Sequence, residues 1–414
     1  MKFLKALGTR QRTKINCDIR YILLWLMLSV YPLLVIPHPF YIISPAGVAP
    51  PGYFYAPRYV VLVCLSLVAL AVLIKDKKPL NHPVLLPLLL FLTCAMTSSF
   101  LAAVPMTAWI GSPFRFTGFS TYFCCFILFI LALQNNQKTT ELLKWMIFCA
   151  AAVSFLALLQ YFGINLVPHE PGREATYPYG TLANPNFLGT YTAFVLPAAL
   201  FFFLQHQKPS WLFCSGLIYA GLLVSLCRGA WLASLAGFLV IVYFALREQD
   251  KRSAVIRLSF VLLAVTVLLL PARDGLLLSR ILTVPGEMGK AAMLEADAGS
   301  YRIFIWERVS RLFLHYWAFG IGPDHLIYAK IITPNHALVD KAHNVFLEIA
   351  VTMGTFALLS YLAFLSFFFR RPRNRTGFLL LVMISVYLVQ GLFNIDVVMV
   401  MPLFWIVLGL AAGR

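Results

Sequence analysis

Apolar runs long enough to cross a bilayer, roughly 17–25 residues, recur along most of the chain. They fall at about 19–43, 58–74, 83–103, 118–134, 145–163, 189–206, 211–226, 230–246, 258–271, 343–369, 378–394 and 398–412. Read as helices, they predict an all-α membrane protein with about twelve transmembrane helices in one polytopic domain spanning 1–414. The first run follows Lys2, Lys5, Arg10, Arg12 and Lys14 and has no small-residue cleavage site, so it is expected to stay as an anchor. The pattern breaks between the ninth and tenth runs, where 272–342 form one long polar connection. Within it, 301–317 regain helical periodicity, with Ile305, Trp306, Val309, Leu312, Phe313 and Tyr316 on one stripe. Such an amphipathic helix is expected to lie along the membrane surface against the bundle.

Composition supports this reading: 61% of the residues are hydrophobic and 12% charged, where a soluble domain carries about 25% charged residues. A soluble enzyme, a disordered chain and a secreted disulfide scaffold are excluded. The net charge of +17 would suit a nucleic-acid partner if it were spread evenly, but it is not. With the N-terminus inside, the inner segments hold 21 of the 33 Lys and Arg but 5 of the 16 acids, and the outer segments are almost neutral. The inner loops carry Lys75, Lys77 and Lys78; Arg247, Lys251, Arg252 and Arg257; and Arg370, Arg371, Arg373 and Arg375. This positive-inside bias places both termini in the cytoplasm and 272–342 outside, and leaves no nucleic-acid partner to invoke. The eight cysteines include no Cys-x-x-Cys pair, so neither a metal knuckle nor a redox motif is offered.

Polar chemistry collects on the outer side. On the 301–317 helix, Arg308, Arg311 and His315 fall on the polar face, but Arg302 shares the apolar stripe with Trp306, Val309 and Phe313. A cation aimed at the bundle needs a partner, although a snorkelling side chain is the plainer alternative. Cys227-Arg228-Gly229 forms a tight turn between two apolar helices, where Arg228 is either functional or an interfacial anchor. Ala342-His343-Asn344 opens a span, and His can act as a base near neutral pH. Arg115 sits in the turn Gly111-Ser112-Pro113-Phe114-Arg115-Phe116-Thr117-Gly118, and Asp396 is the single acid of the last outer turn. Gly180-Thr181-Leu182-Ala183-Asn184-Pro185-Asn186-Phe187 reads first as a turn with Asn184 as a helix cap. Glu295-Ala296-Asp297 has the spacing of an acidic metal motif but reads as ordinary loop acids.

Taken in order, Gly180 through Phe187, Arg228-Gly229-Ala230, Arg302 with Trp306, Gly320-Ile321-Gly322-Pro323, and His343-Asn344 with Leu347 and Gly354 resemble the O-antigen ligase and O-antigen polymerase superfamily of bacterial envelope glycosyltransferases. The likeness is tightest over about 180–360. It implies a GT-C-like fold in the cytoplasmic (inner) membrane of a bacterium, with the active site extracytoplasmic. It also implies transfer of a glycan from an undecaprenyl-diphosphate carrier to an acceptor hydroxyl, with inversion. Arg228 and Arg302 fall where the family's essential arginines lie, His343 where its essential histidine lies, and Asp396 at an acidic position of some members. Around these catalytic positions, Arg115, Asn186, Trp306, Arg308, Arg311 and Asn344 are the expected substrate-binding residues. No Asp-x-Asp motif is present, so the arginines are expected to replace a metal, and no cofactor is expected. The expected partners are the carrier-linked donor, a saccharide or lipid-linked acceptor, and membrane lipid. A ligase of the lipopolysaccharide type leads. A surface-polysaccharide polymerase of the same superfamily is the alternative, and a secondary transporter or flippase a more distant one. Members that glycosylate proteins are expected to carry a separate C-terminal domain, so protein O-glycosylation is the weaker expectation here.

The topology is open to single-cysteine labelling in a background freed of the native cysteines. An impermeant reagent applied to intact cells should reach a cysteine at position 290 and not one at 373; the reverse pattern would overturn the orientation.

Overall fold

The computed structural model describes residues 19–36, 52–113, 115–168, 177–369 and 374–413. The basic N-terminal segment through Lys14, the end of the first apolar run, Phe114, and Arg370, Arg371 and Arg373 lie outside the described residues. Among those described, sixteen helices form and no strand does; Ile332 and Leu338 make one isolated bridge. In chain order the helices are α1 (Ile19–Leu33), α2 (Tyr55–Asp76), α3 (Leu85–Leu101), α4 (Pro105–Ile110), α5 (Phe119–Leu133), α6 (Thr139–Tyr161), α7 (Pro185–His206) and α8 (Pro209–Val224). They continue as α9 (Arg228–Leu246), α10 (Arg252–Leu269), α11 (Ala272–Ala292), α12 (Ala298–Tyr316), α13 (Val345–Met353), α14 (Thr355–Ser366), α15 (Arg375–Gly391) and α16 (Met401–Ala412). Five of them (α2, α6, α7, α9 and α10, counting short lead-in turns) are long and apolar enough to cross a membrane, and seven further apolar stretches are shorter. The protein is an integral membrane protein.

Burial sorts these helices into layers. The apolar window of α7 is 94% buried, against 22% for α2 and 28% for the α10 span, so α7 is central and the others face lipid. Leu232, Leu235 and Leu239 of α9 are more than half exposed, as expected where the solvent is hydrocarbon. Arg58 of α2 is fully buried and holds no acid. It donates instead to the carbonyls of Phe54, Tyr31, Pro32 and Thr181 at 2.8–3.2 Å, tying α1, α2 and the segment before α7 together. Among the described residues, the ion pairs between separate segments keep to one end of the bundle or the other. Arg20–Asp76 and Arg375–Glu248 sit at one end, and Arg115–Asp340, Arg228–Glu287 and Lys341–Asp324 at the other.

Two expectations need correction. The connection 272–342 holds two helices, because α11 precedes α12; Pro285, Gly275, Gly286 and Gly289 blur its period in the sequence. The apolar run 343–369 is likewise two helices, broken at Gly354. The break receives the end of the long connection. Ile321 and Gly322 donate to Val351 and Thr352 at 3.1 and 2.8 Å, and Thr355 donates to the Trp317 carbonyl at 2.7 Å. Only glycine fits the seam. Gly354 (φ 89) would place a Cβ 2.0 Å from the Ala318 oxygen, and Gly320 (φ 71) would place one 2.2 Å from the Thr352 carbonyl carbon. Beside this seam, Ile305 and Val309 of α12 pack with Leu326, Val339, Ala342 and Val351 into a small core of their own.

Under that core lies an ion network. Lys341, 2% exposed, bonds Asp324 at 2.8 Å, Glu348 at 3.1 Å and the Thr117 hydroxyl at 2.7 Å. Asp324 also accepts from the Ser112 and Thr117 amides, and Glu348 from the Ala342 amide at 2.7 Å. Burial works against the ammonium, but the two carboxylates outweigh it and hold the Lys341 pKa above its ordinary value. Lys341→Met should therefore leave two buried carboxylates unpaired and cost about 3–5 kcal/mol. Purified in detergent, this variant should melt far below wild type; equal melting temperatures would show that the network carries no stability.

Candidate active site

Four segments bring their polar side chains to the same end of the bundle. The chain leaves α8 through Leu226 in the left-handed region (φ 55), which sets Arg228 in the first turn of α9. α11 lies across this turn, and Arg280 Nε donates to the Leu226 carbonyl at 3.2 Å. α12 opens with Gly299, Ser300 and Tyr301 all left-handed, so regular helix starts at Arg302 and its side chain turns inward. Arg302 Nε donates to the Phe393 carbonyl at 3.0 Å, in the connection between α15 and α16, and its Nη1 donates to the Gly299 carbonyl.

Arg228, Arg280 and Arg302 are close enough for their charges to act on one another. Burial and then its arginine neighbours push the Arg302 pKa down, and the same two influences act on Arg280. One carboxylate, Glu287, stands among them, 3.3 Å from Arg228 and bonded to the Gly299 amide at 2.8 Å. Arg228 also donates to the Thr283 hydroxyl at 3.2 Å. Among the described residues, three guanidinium groups face one carboxylate, a cluster with an excess of positive charge suited to a polyanion.

His343 lies beside this cluster. Its backbone is left-handed (φ 52), immediately ahead of Asn344, whose side chain caps α13 by accepting from Phe346 and Leu347 at 3.0 Å. Burial first, then the Arg302 charge, push the His343 pKa from 6.5 to about 4, so the ring is neutral at pH 7. Its Nδ1 is buried without a hydrogen-bond partner. Arg302 thus acts on both the arginine cluster and the histidine. Trp306 fixes their spacing: its indole donates to the Ala342 carbonyl at 3.0 Å, and its ring lies against Phe393 at 6.5 Å.

The other expected residues divide. Arg115 pairs with Asp340 at 2.7 Å, and both of their charges act on His343. Asn186 does not bring its side chain to the cluster through any bond described; its carbonyl accepts from Asn394 Nδ2 at 3.2 Å. Arg308 and Arg311 are exposed and turned away, Arg308 over the Phe304 ring and Arg311 paired with Glu307. Asp396 accepts from the Tyr387 hydroxyl at 2.6 Å, and Lys341 and Glu348 are the ionisable neighbours that act on it after Tyr387. Asp297 of the Glu-Ala-Asp motif pairs with Lys290. Sequence reasoning missed Arg280, Asp340 and the Lys341 network. Lys341 and Glu348 bracket His343-Asn344 seven residues apart, the one local signal that could have pointed to them.

No curated protein matches the chain. A protein-family model described as O-antigen ligase (Wzy_C) matches residues 212–362. The match takes in Arg228, Arg280, Arg302 and His343; it begins after Phe187 and ends before Asp396. This membrane protein therefore carries, over residues 212–362, a Wzy_C O-antigen ligase family domain.

Proposed function

We propose that the protein transfers a glycan from an undecaprenyl-diphosphate carrier to an acceptor hydroxyl on the outer face of the cytoplasmic membrane. The reading is of the O-antigen ligase type, metal-independent and inverting, in a bundle of twelve spans with both termini cytoplasmic. One observation carries it: Arg302, with Arg228 and Arg280 behind it, stands beside a neutral His343 at one end of the bundle. The O-antigen ligase family match over the same residues supports it, since that family acts on lipid-linked glycans.

The chemistry follows from the residue types. A diphosphate leaving group needs fixed cations, and Arg forks onto phosphate oxygens without losing its charge. In a site screened from water those charges act strongly and need no reorganisation during reaction. The acceptor oxygen bonds to the anomeric carbon as the bond from that carbon to the diphosphate oxygen breaks. The bonding pair leaves on the diphosphate beside the arginines, and the neutral His343 ring takes the hydroxyl proton. A polymerase of the same superfamily would use the same donor half and pass the glycan to another carrier-linked unit. Deleting the protein separates the two readings: unligated polymer marks a ligase, single repeat units a polymerase, and an unchanged glycan profile overturns both.

Arg302→Lys keeps the charge and loses the fork, so donor affinity should fall about ten- to a hundredfold, the equivalent of about 1.5–3 kcal/mol. If Arg228→Ala and Arg302→Ala insert normally and retain full transfer, the diphosphate assignment is wrong. His343→Ala should abolish turnover and leave donor affinity largely intact. Loss of donor binding with normal turnover at saturation would make His343 a binding residue.

The pH profile gives an independent check. The working form of His343 is neutral, so activity is retained above its pKa and lost as pH falls through it. With the ring held near 4 in the free enzyme, the acid limb of kcat/KM should lie well below 6.5. A limb at 6.5 or above would refute His343 in its observed surroundings as the base.

A further inference from the structure

An apolar groove of about 450 Å³ runs between α9 and α15. Its α9 wall is Ala233, Ala236, Gly237 and Val240, and Val386 and Val389 stand on the α15 side. No charged residue lines it, and Ser385 supplies the one hydroxyl. Small side chains at this spacing leave a channel where larger ones would close the helix pair. Gly237 sets its depth, since a Cβ there would stand 2.5 Å from Val386 Cγ2. On α9 the neighbouring Leu235 and Leu239 are more than half exposed, so the groove's rim faces the bilayer.

The direction of the two helices decides what the groove serves. α9 begins at Arg228, five residues before Ala233, about 7.5 Å of helix. α15 runs the opposite way, and four residues after Val389 comes Phe393, whose carbonyl holds Arg302. The upper end of the groove therefore opens beneath the arginine cluster. From Ala233 to Phe244 the lining extends about 16 Å along α9. An arginine cluster suited to an anionic head, about 7.5 Å along α9 from the end of an open apolar channel, matches an amphiphile with a compact polyanionic head and a long hydrocarbon tail.

We infer that the α9–α15 groove holds the head-proximal isoprenyl units of the carrier lipid while its diphosphate rests on the arginine cluster. The inference builds on the carrier-diphosphate reading above and adds where the tail lies and between which helices the donor enters.

The test uses the full chain purified in detergent, with undecaprenyl diphosphate and inorganic diphosphate as separate probes. Ala236→Trp and Val240→Trp fill the groove from its exposed wall, and Leu235→Trp places the same bulk outside it. The two groove variants should lose at least tenfold in affinity for undecaprenyl diphosphate and bind inorganic diphosphate as wild type does. Leu235→Trp should bind both normally, and all three should melt with wild type. Undiminished binding of undecaprenyl diphosphate by both groove variants would overturn the inference and leave the groove to ordinary phospholipid. An equal loss for both probes would also overturn it, by showing damage to the head site. Failure of wild type to bind either probe would instead bring down the carrier-diphosphate reading itself.

Discussion

The Lys341 ammonium fixes the geometry on which the candidate site depends. Removing an ammonium from water costs several kcal/mol, which a buried site recovers only with well-placed partners. Lys341 has three, and they come from three parts of the chain: Asp324 in the long connection, Thr117 in the turn between α4 and α5, and Glu348 in α13. None can move without exposing a buried charge. Asp324 passes the constraint to Ser112, and Glu348 passes it to the Ala342 amide, next to His343. The left-handed backbone of His343, costly for a residue with a Cβ, is held between this network and the Asn344 cap.

The arginine cluster follows the opposite logic. Lys341 stands between two carboxylates, whereas among the described residues Arg228, Arg280 and Arg302 have Glu287 as their carboxylate. Repulsion among like charges in partly buried surroundings is a standing cost. It persists because backbone carbonyls of Leu226, Gly299 and Phe393 accept guanidinium hydrogen bonds without neutralising the charge. A bound polyanion would relieve the cost. Saturating the protein electrostatically at Lys341 and leaving it unsaturated at the arginines separates the part that must hold its shape from the part that must attract a ligand.

How much of this the sequence disclosed follows from the range of each signal. Hydropathy is local and repetitive, so each of the twelve apolar runs contains helix where it is described. The 3.6-residue period placed Arg302 with Trp306 and Val309, and the structure turns Arg302 toward Phe393. The split of 343–369 was hidden because a glycine in an apolar run is common; the need for Gly354 lies in the Ala318 carbonyl, 36 residues earlier in the chain. Arg280 was hidden because Pro285 and the glycines of α11 flatten its period. Lys341 was hidden because its partners are 17 and 7 residues away on one chain segment and 224 on another. Arg308 and Arg311 show the converse: a basic face on a helix is visible in sequence, but exposure turned it from the cluster.

The two halves of the site also differ in how firmly they are held. α12 packs Ile305 and Val309 into its own core, and Trp306 bonds the carbonyl beside His343. Of α11, Leu277 alone is fully buried, and Gly275, Gly286 and Gly289 stand in open space. Elements with few buried apolar contacts open at the low end of the stability range. α11 carries Arg280 and Glu287, so the contacts that close one side of the arginine cluster, Arg280 to Leu226 and Glu287 to Arg228, ride on its weakest-held helix. Arg302 and His343 ride on its most firmly held segments. Displacing α11 would change the charge facing a ligand by one cation and one anion, with no net change, and would leave the distance between Arg302 and His343 set by Trp306. The pair that must meet a reacting bond therefore keeps its spacing independently of α11.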